Sequence, residues 1–253
     1  MKVIITGGEG FIGKSLAMML AKRGVEVVSI DRVNGMEAGE YFTSTSISDI
    51  DCVYHLAAQT SVFNVNKSDI IRDNIETFKT VCDACRRQQV KMVYASSSTA
   101  AQGNTTSLYG ISKRFDEEYA RCYNPNATGV RFHNVYGKNP RQGTLLWYLL
   151  NRERVDLYNM GRNVRHFTYI DDIVESLVFA YGCKHQLINA ANPQAVTTLD
   201  FAKAVSAYNG VQLNLVEGCR GYDNNRQEVD DSVFSVPLDY TSYLDGIERI
   251  FRE

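Results

Sequence analysis

The chain has 253 residues, a length that allows one large domain or two unequal ones. Apolar residues make up 44% and charged residues 22%, with 18 Gly against 4 Pro, a balance that excludes disordered, collagen-like and low-complexity classes. Lys and Arg number 27 against 29 Asp and Glu, so the formal charge is −2 and the basic footprint of a nucleic-acid binder is missing.

The apolar stretch around Leu16–Ala21 falls far short of the ~20 residues that span a bilayer. After Lys2 only Val3, Ile4 and Ile5 precede Thr6, too little for the apolar region of a secretory signal. The six cysteines, Cys52, Cys82, Cys85, Cys122, Cys183 and Cys219, are thinly spread, and we expect reduced thiols in a cytoplasmic protein. Cys82 and Cys85 form a C-x-x-C, but they share one helical face with Ile71, Ile75 and Phe78, so small apolar packing explains them better than redox or zinc chemistry.

Strand-like and helix-like segments alternate from the start. Lys2 to Thr6 reads as a strand, Phe11 to Arg23 as a helix stopped by Gly24, and Val25 to Ile30 as a second strand. Cys52 to Leu56 is a strand and Asp69 to Gln89 a long helix. Lys91 to Ser96 is a strand, Tyr109 to Cys122 a helix and Ala127 to Phe132 a strand. This order predicts an α/β fold, a doubly wound parallel sheet of the Rossmann type with helices on both faces. After Gly137 the rhythm loosens. Helices are expected at Gly143–Asn151, Asp171–Tyr181, Thr198–Tyr208 and Tyr243–Phe251, with short strands near Val155–Leu157, His166–Tyr169, Leu187–Asn189 and Val211–Leu213. We therefore expect a dinucleotide-binding domain over 1–136 and 164–190. A small interleaved C-terminal substrate lobe would take 137–163 and 191–253. The N-x-T sequons at Asn104 and Asn126 read as ordinary loop residues.

Thr6-Gly7-Gly8-Glu9-Gly10-Phe11-Ile12-Gly13 lies between the first strand and the first helix. Gly7, Gly10 and Gly13 suit a tight turn, a backbone that approaches a pyrophosphate, and a helix packed close to the sheet. The helix N-terminus then offers unpaired N–H groups and the positive end of its dipole. Asp31, at the end of the second strand, can accept hydrogen bonds from both hydroxyls of the adenosine ribose and would repel a 2′-phosphate. It predicts NAD over NADP, and the adjacent Arg32 softens that preference. A ligand-free tight turn is the plain alternative, and the flanking strand, helix and acid argue against it.

Tyr109 and Lys113 are one helical turn apart and share a face. A phenol with a pKa of about 10 is a poor base at pH 7. A neighbouring ammonium and the positive nicotinamide of an oxidised cofactor favour the phenolate. Such a tyrosine can take the proton of a substrate hydroxyl. Ser96, Ser97 and Ser98 end the preceding strand, facing a bound cofactor, and one of these hydroxyls can bond the same oxygen.

Taken together, T-G-G-E-G-F-I-G at 6–13, H-L-A-A at 55–58, S-S-S at 96–98, Y-G-I-S-K at 109–113, R-F-H-N-V-Y-G at 131–137 and V-R-H-F-T-Y-I-D-D at 164–172 resemble the extended short-chain dehydrogenase/reductases. Within them the match is to the NAD-dependent epimerase/dehydratase family acting on nucleotide sugars. It runs from residue 1 to about 190. The resemblance implies that Gly7, Gly10 and Gly13 cradle the pyrophosphate and that Phe11 and Ile12 supply backbone N–H groups. It places Asp31, with Arg32 beside it, at the adenosine ribose, Leu56, Ala57 and Ala58 along the cofactor, and Asn74 and Ser96 near its nicotinamide end. Ser98, Tyr109 and Lys113 become the catalytic set, with Lys113 also holding the nicotinamide ribose. Thr99, Asn134, Arg165 and, on weaker sequence support, Arg220 fall to the nucleotide-sugar substrate, and no metal is implied.

The departures narrow the chemistry. The family's 4,6-dehydratases carry Asp and Glu after the catalytic Thr, and its sugar-acid decarboxylases a Glu at the second position. Here Thr99 and Ala100 can neither protonate a leaving hydroxyl nor abstract a ring proton. Gly103 to Tyr109 replaces a much longer loop, Asp31 to Cys52 leaves no room for the usual additional crossover helix, and Ser46 stands where an adenine-contacting Asp is often found. The expected function is therefore a trimmed NDP-sugar epimerase, acting at C4 through a transient ketone. The alternatives are an NAD(P)H-consuming reductase and a non-catalytic dinucleotide-binding regulator. A homodimer is expected through the helices at 69–89 and 109–122. His55 reads as structural, His133 as equally a site or a packing residue, and His166 and His185 lack metal-ligand spacing. Asp171-Asp172 reads as a helix-dipole partner.

Overall fold

Val3, Ile4 and Ile5 are β-branched and fully buried, and they build the strand Lys2–Thr6 inside a seven-stranded sheet. The computed structural model describes residues 1–60, 66–101, 107–219 and 226–252. From one edge the sheet runs Glu26–Ile30, Lys2–Thr6, Cys52–His55, Lys91–Ser97, Ala127–Phe132, Leu187–Ala190 and Phe234–Ser235. Every pairing in it is parallel. Both faces of such a sheet are covered, so its strands read as near-continuous apolar runs. The chain leaves Lys2–Thr6 toward one edge and returns to its other side at Cys52–His55. The order of winding thus reverses between these strands, and a crevice opens at their C-terminal ends.

The segment between Asp31 and Cys52 is not as bare as its length suggests. A seven-residue helix, Ala38–Ser44, fits there and buries Ala38 and Phe42. The long helix also departs from its sequence pattern. It runs as Lys67–Ile70, a wide π-helical turn at Ile71–Glu76, and Thr77–Gln88. The extra residue in that turn rotates Asp73 and Asn74 inward and leaves Ile71 44% exposed, so the expected apolar stripe holds only from Phe78 onward. Phe78, Cys82 and Cys85 are fully buried in the chain's own core, where burial pushes the Cys82 thiol up to about 12. They are packing residues.

Outside the main sheet the described residues form three small ladders. Arg154–Leu157 pairs with Gln212–Leu215, Val164–Arg165 with Val196–Thr197, and Val135–Tyr136 with Thr168–Tyr169. Phe234–Ser235, which sequence reasoning missed, returns to the edge of the main sheet. One apolar core runs from Val3 and Leu16 through Tyr136 and Phe167 to Phe201 and Ile247. Among the described residues no helix is long and apolar enough to cross a membrane, and no cluster of metal-ligating side chains occurs.

Candidate active site

The crevice holds a cavity of about 690 Å³. Its floor is the glycine turn. Gly7 has φ +70°, a left-handed conformation, and its N–H donates to Ile30 O at 2.9 Å while its own carbonyl accepts from Gly10 N at 3.0 Å. A Cβ on Gly13 would lie 2.1 Å from Gly7 O, so only glycine lets the helix sit this close to the turn. That helix, Phe11–Lys22, has Gly10 as N-cap, no side-chain cap and no acidic residue in its first turn. Its first N–H groups are therefore left for an anion.

Asp31 is held ready beside it, its two carboxylate oxygens accepting from Glu9 N at 3.1 Å and Val33 N at 3.0 Å. Arg32 also borders the cavity, but its guanidinium is engaged by Asp73 and Glu37. Leu56, Ala57 and Ala58 line the wall above the turn. Asn74 does not reach the cavity. It is buried, with Nδ2 donating to Gln59 O and Ser112 Oγ and Oδ1 accepting from Gln59 N, so it shapes the wall from behind.

Ser107 caps the helix Leu108–Tyr123, its Oγ accepting from Gly110 N at 3.1 Å, and sets Tyr109 in the first turn. A Cβ at Gly110 would lie 2.8 Å from Thr99 O, so glycine lets this helix close on the turn Ser98–Ala100 and brings Tyr109 toward Ser98. Ser98, Thr99, Tyr109 and Lys113 all border the cavity. Ser98 Oγ donates to Gln227 Oε1 at 3.3 Å, a contact across 129 residues that no local pattern announces. Lys113 is 2% exposed, and its ammonium donates to Asp116 Oδ2 at 3.0 Å. Burial pushes the Asp116 carboxyl up to about 7 against the pull of that ammonium.

Ser96 borders the cavity but donates its hydroxyl to Glu117 Oε1 at 2.5 Å. Glu117 also accepts two bonds from Arg131, at 2.7 Å each, and Arg131 reaches Asp230 at 2.8 Å. This ionic node behind the strand Lys91–Ser97 was not apparent from the sequence, although Glu117 lies one helical turn past Lys113. His55 bonds Thr6 Oγ1 at 2.8 Å through Nδ1, and burial with the nearby Lys113 charge lowers its pKa to about 3, so it is a neutral structural residue. His133 is likewise lowered to about 3 by burial, then by His166 and Arg131.

At the far end Asn134 and the 4%-exposed Arg165 border the cavity. Asn134 Oδ1 is buried without a protein partner. Arg141, which sequence reasoning missed, also borders the cavity, donates to Thr60 Oγ1 and lies within electrostatic reach of Tyr109. Arg220 and Asn104 lie outside the described residues.

A glycine-cradled anion site, a ribose-ready carboxylate and a Ser/Tyr/Lys cluster in one crevice define a dinucleotide-dependent enzyme of the short-chain dehydrogenase/reductase class. The model of the NAD dependent epimerase/dehydratase family matches residues 3–191, and the chain belongs to that family. Its cofactor is the NAD for which the family is named, and the left-handed Gly7, the uncapped helix and Asp31 suit that dinucleotide. Among curated relatives, protein CapI of Staphylococcus aureus is 31% identical over 227 residues, 70% of this chain and 68% of CapI. UDP-glucuronate 4-epimerase 4 of Arabidopsis thaliana is 28% identical over 232 residues, 70% of this chain and 53% of the relative. The solved structure of MoeE5 in complex with UDP-glucuronic acid and NAD superposes with a TM-score of 0.82 at 24% identity, over 98% of this chain and 97% of that one. At that identity the likeness is one of fold.

Proposed function

We propose that the chain is an NAD-dependent epimerase that inverts C4 of a nucleotide sugar. The observation that carries this reading is the continuity of one cavity from the glycine turn, past Ser98, Tyr109 and Lys113, to Asn134 and Arg165. Bound NAD would supply a reversible hydride acceptor, and the chain's residues do the rest. Tyr109 takes the proton of the sugar hydroxyl and later returns it. Ser98 holds the same oxygen. Lys113 brings positive charge to the phenol. Arg165 and Asn134 hold the diphosphate by charge-assisted and neutral hydrogen bonds while the sugar turns over between the two faces. Thr99 and Ala100 bring no carboxylate to this site, which disfavours elimination of water.

Arg141 supports a narrower choice of sugar. It brings a cation to the Tyr109 end of the cavity, where a carboxylate on the sugar would meet it. Relatives at 28% identity are UDP-glucuronate 4-epimerases, and UDP-glucuronate is the sugar we assign first.

The test is stoichiometry. The protein is incubated with UDP-glucuronate, UDP-glucose and UDP-N-acetylglucosamine at catalytic NAD, and products are separated by chromatography. Many equivalents of C4 epimer per NAD support the assignment. One NAD(P)H consumed per product would replace it with a reductase.

A further inference from the structure

Asp31 and Arg32 stand side by side at the end of Glu26–Ile30 and make opposite demands. A carboxylate at this point of a dinucleotide fold accepts from the ribose hydroxyls, whereas an arginine beside it accommodates a 2′-phosphate. The sequence leaves the contest open, and the tertiary structure bears on it through a residue 41 positions further along.

The two terminal nitrogens of Arg32 donate to Asp73, Nη1 to Oδ2 at 2.8 Å and Nη2 to Oδ1 at 2.7 Å. Its Nε donates to Glu37 Oε1 at 2.5 Å. All three guanidinium nitrogens are thereby engaged, three of its five N–H donors, and the two parallel donors facing Asp73 are held on a carboxylate. Asp73 is 6% exposed and also accepts from Gln59 Nε2 at 2.8 Å and Arg72 Nε at 2.7 Å. The Arg32 hydrogen bonds, against the cost of burial, hold its carboxyl far below the usual range. Four charges thus close on one another, Arg32 and Arg72 against Asp73 and Glu37.

The placement of Asp73 is a departure from helical regularity. In an unbroken helix Ile71 and Ile75 would share the inner face with Phe78, and Asp73 would point elsewhere. The wide turn at Ile71–Glu76 turns Asp73 onto Arg32 instead. Such single-turn irregularities frequently mark functional positions. Arg32, Asp73, Glu37 and Asp31 all border the same cavity.

We propose that Asp73 is a specificity-determining residue, which holds the Arg32 fork away from the ribose 2′ position so that Asp31 alone addresses the adenosine and NADP is refused. The inference rests on the family's use of NAD and on no assumption about the sugar. It assigns two causes to the refusal, a like charge at Asp31 and an occupied cation at Arg32.

The experiment titrates NAD and NADP into the purified protein without sugar, followed by calorimetry. Asp73→Asn keeps the shape of the side chain and removes its charge. Release of one charge-assisted contact to a 2′-phosphate corresponds to about a tenfold gain in affinity. We expect NADP to bind at least about tenfold more tightly to Asp73→Asn, with NAD changed by less than about threefold. Arg32→Ala added to that variant should abolish the gain. Equal weakening of both cofactors would reduce the pair to a structural clasp and overturn the proposal. Should Asp73→Asn fail to fold, Arg32→Ala alone decides, since Arg32 is half-exposed: NADP affinity no lower than the parent's supports the lock, and a loss specific to NADP overturns it. No binding of NAD by the parent would overturn the cofactor reading together with the lock. An unchanged NADP affinity with intact NAD binding overturns the lock alone.

Discussion

Lys113 and Asp116 form an ion pair of 3.0 Å in which both side chains are buried, at 2% and 0% exposure. They are one helical turn apart, and the ammonium that we propose serves Tyr109 is thereby tied to a carboxylate whose second oxygen, Oδ1, has no protein partner. The pair gives the protein a titration near neutrality. Asp116 goes from an ordinary 3.8 to about 7, so between those values the folded chain holds a proton that the unfolded chain releases. The contribution of this group to stability is then largest below about pH 4 and is lost as pH rises through 7. His55 and His133 work in the opposite sense. Lowered to about 3 by burial, they cost stability as pH falls from 6.5. The difference between the parent and Asp116→Asn isolates the carboxyl: the parent-minus-variant Tm, measured from pH 4 to 8, should fall steadily as pH rises. A flat difference would place the Asp116 pKa near its ordinary value.

Tyr109→Phe should lower turnover about 10²–10⁴-fold, the usual contribution of general acid–base catalysis. The Kd for NAD should move little. Lys113→Ala should lower both rate and NAD affinity, because Lys113 borders the cofactor crevice as well as following Tyr109 by one turn. A Tyr109→Phe rate within about threefold of the parent would remove Tyr109 from the mechanism.

Gly110→Ala tests the approach of two elements. Its new Cβ would meet Thr99 O at 2.8 Å, and the capped helix would have to back away from the Ser98–Ala100 turn. A misplacement of about 1 Å can cost on the order of 10² in rate. We expect kcat to drop to about that extent with NAD affinity retained, as read by steady-state kinetics and by titration.

Glu117→Gln removes one member of a buried ionic node while leaving Arg131 charged at 8% side-chain exposure. Breaking a buried pair outright costs about 3–5 kcal/mol, and because Arg131 keeps its bond to Asp230 the cost here should fall toward the lower end of that range. Urea unfolding should show a fall of this order in ΔG. The Ser96 hydroxyl would also lose its carboxylate acceptor.

Much of this protein is written in short stretches of chain. The alternation of apolar runs with amphipathic ones determines a parallel sheet with helices on its faces, and Gly7, Gly10 and Gly13 determine the turn, since its backbone and close contacts exclude a side chain. Tyr109 and Lys113 fall together because 3.6 residues make a turn. Each of these relations spans a few residues, where sequence spacing is geometry. The tertiary structure decided what lies between distant segments: that the Gln227 amide oxygen accepts from Ser98, that Glu117 is paired with Arg131, which also reaches Asp230, that Asn74 is bonded to Gln59 and Ser112 behind the cavity wall, and that Arg32 is occupied by Asp73. The apolar pattern of residues 71–85 predicts a regular helix, and the wide turn at Ile71–Glu76 overrides it. The buried bonds of Asp73 and Asn74 are made only once the helix packs against the crevice, and no periodicity within the helix can encode a partner that lies outside it.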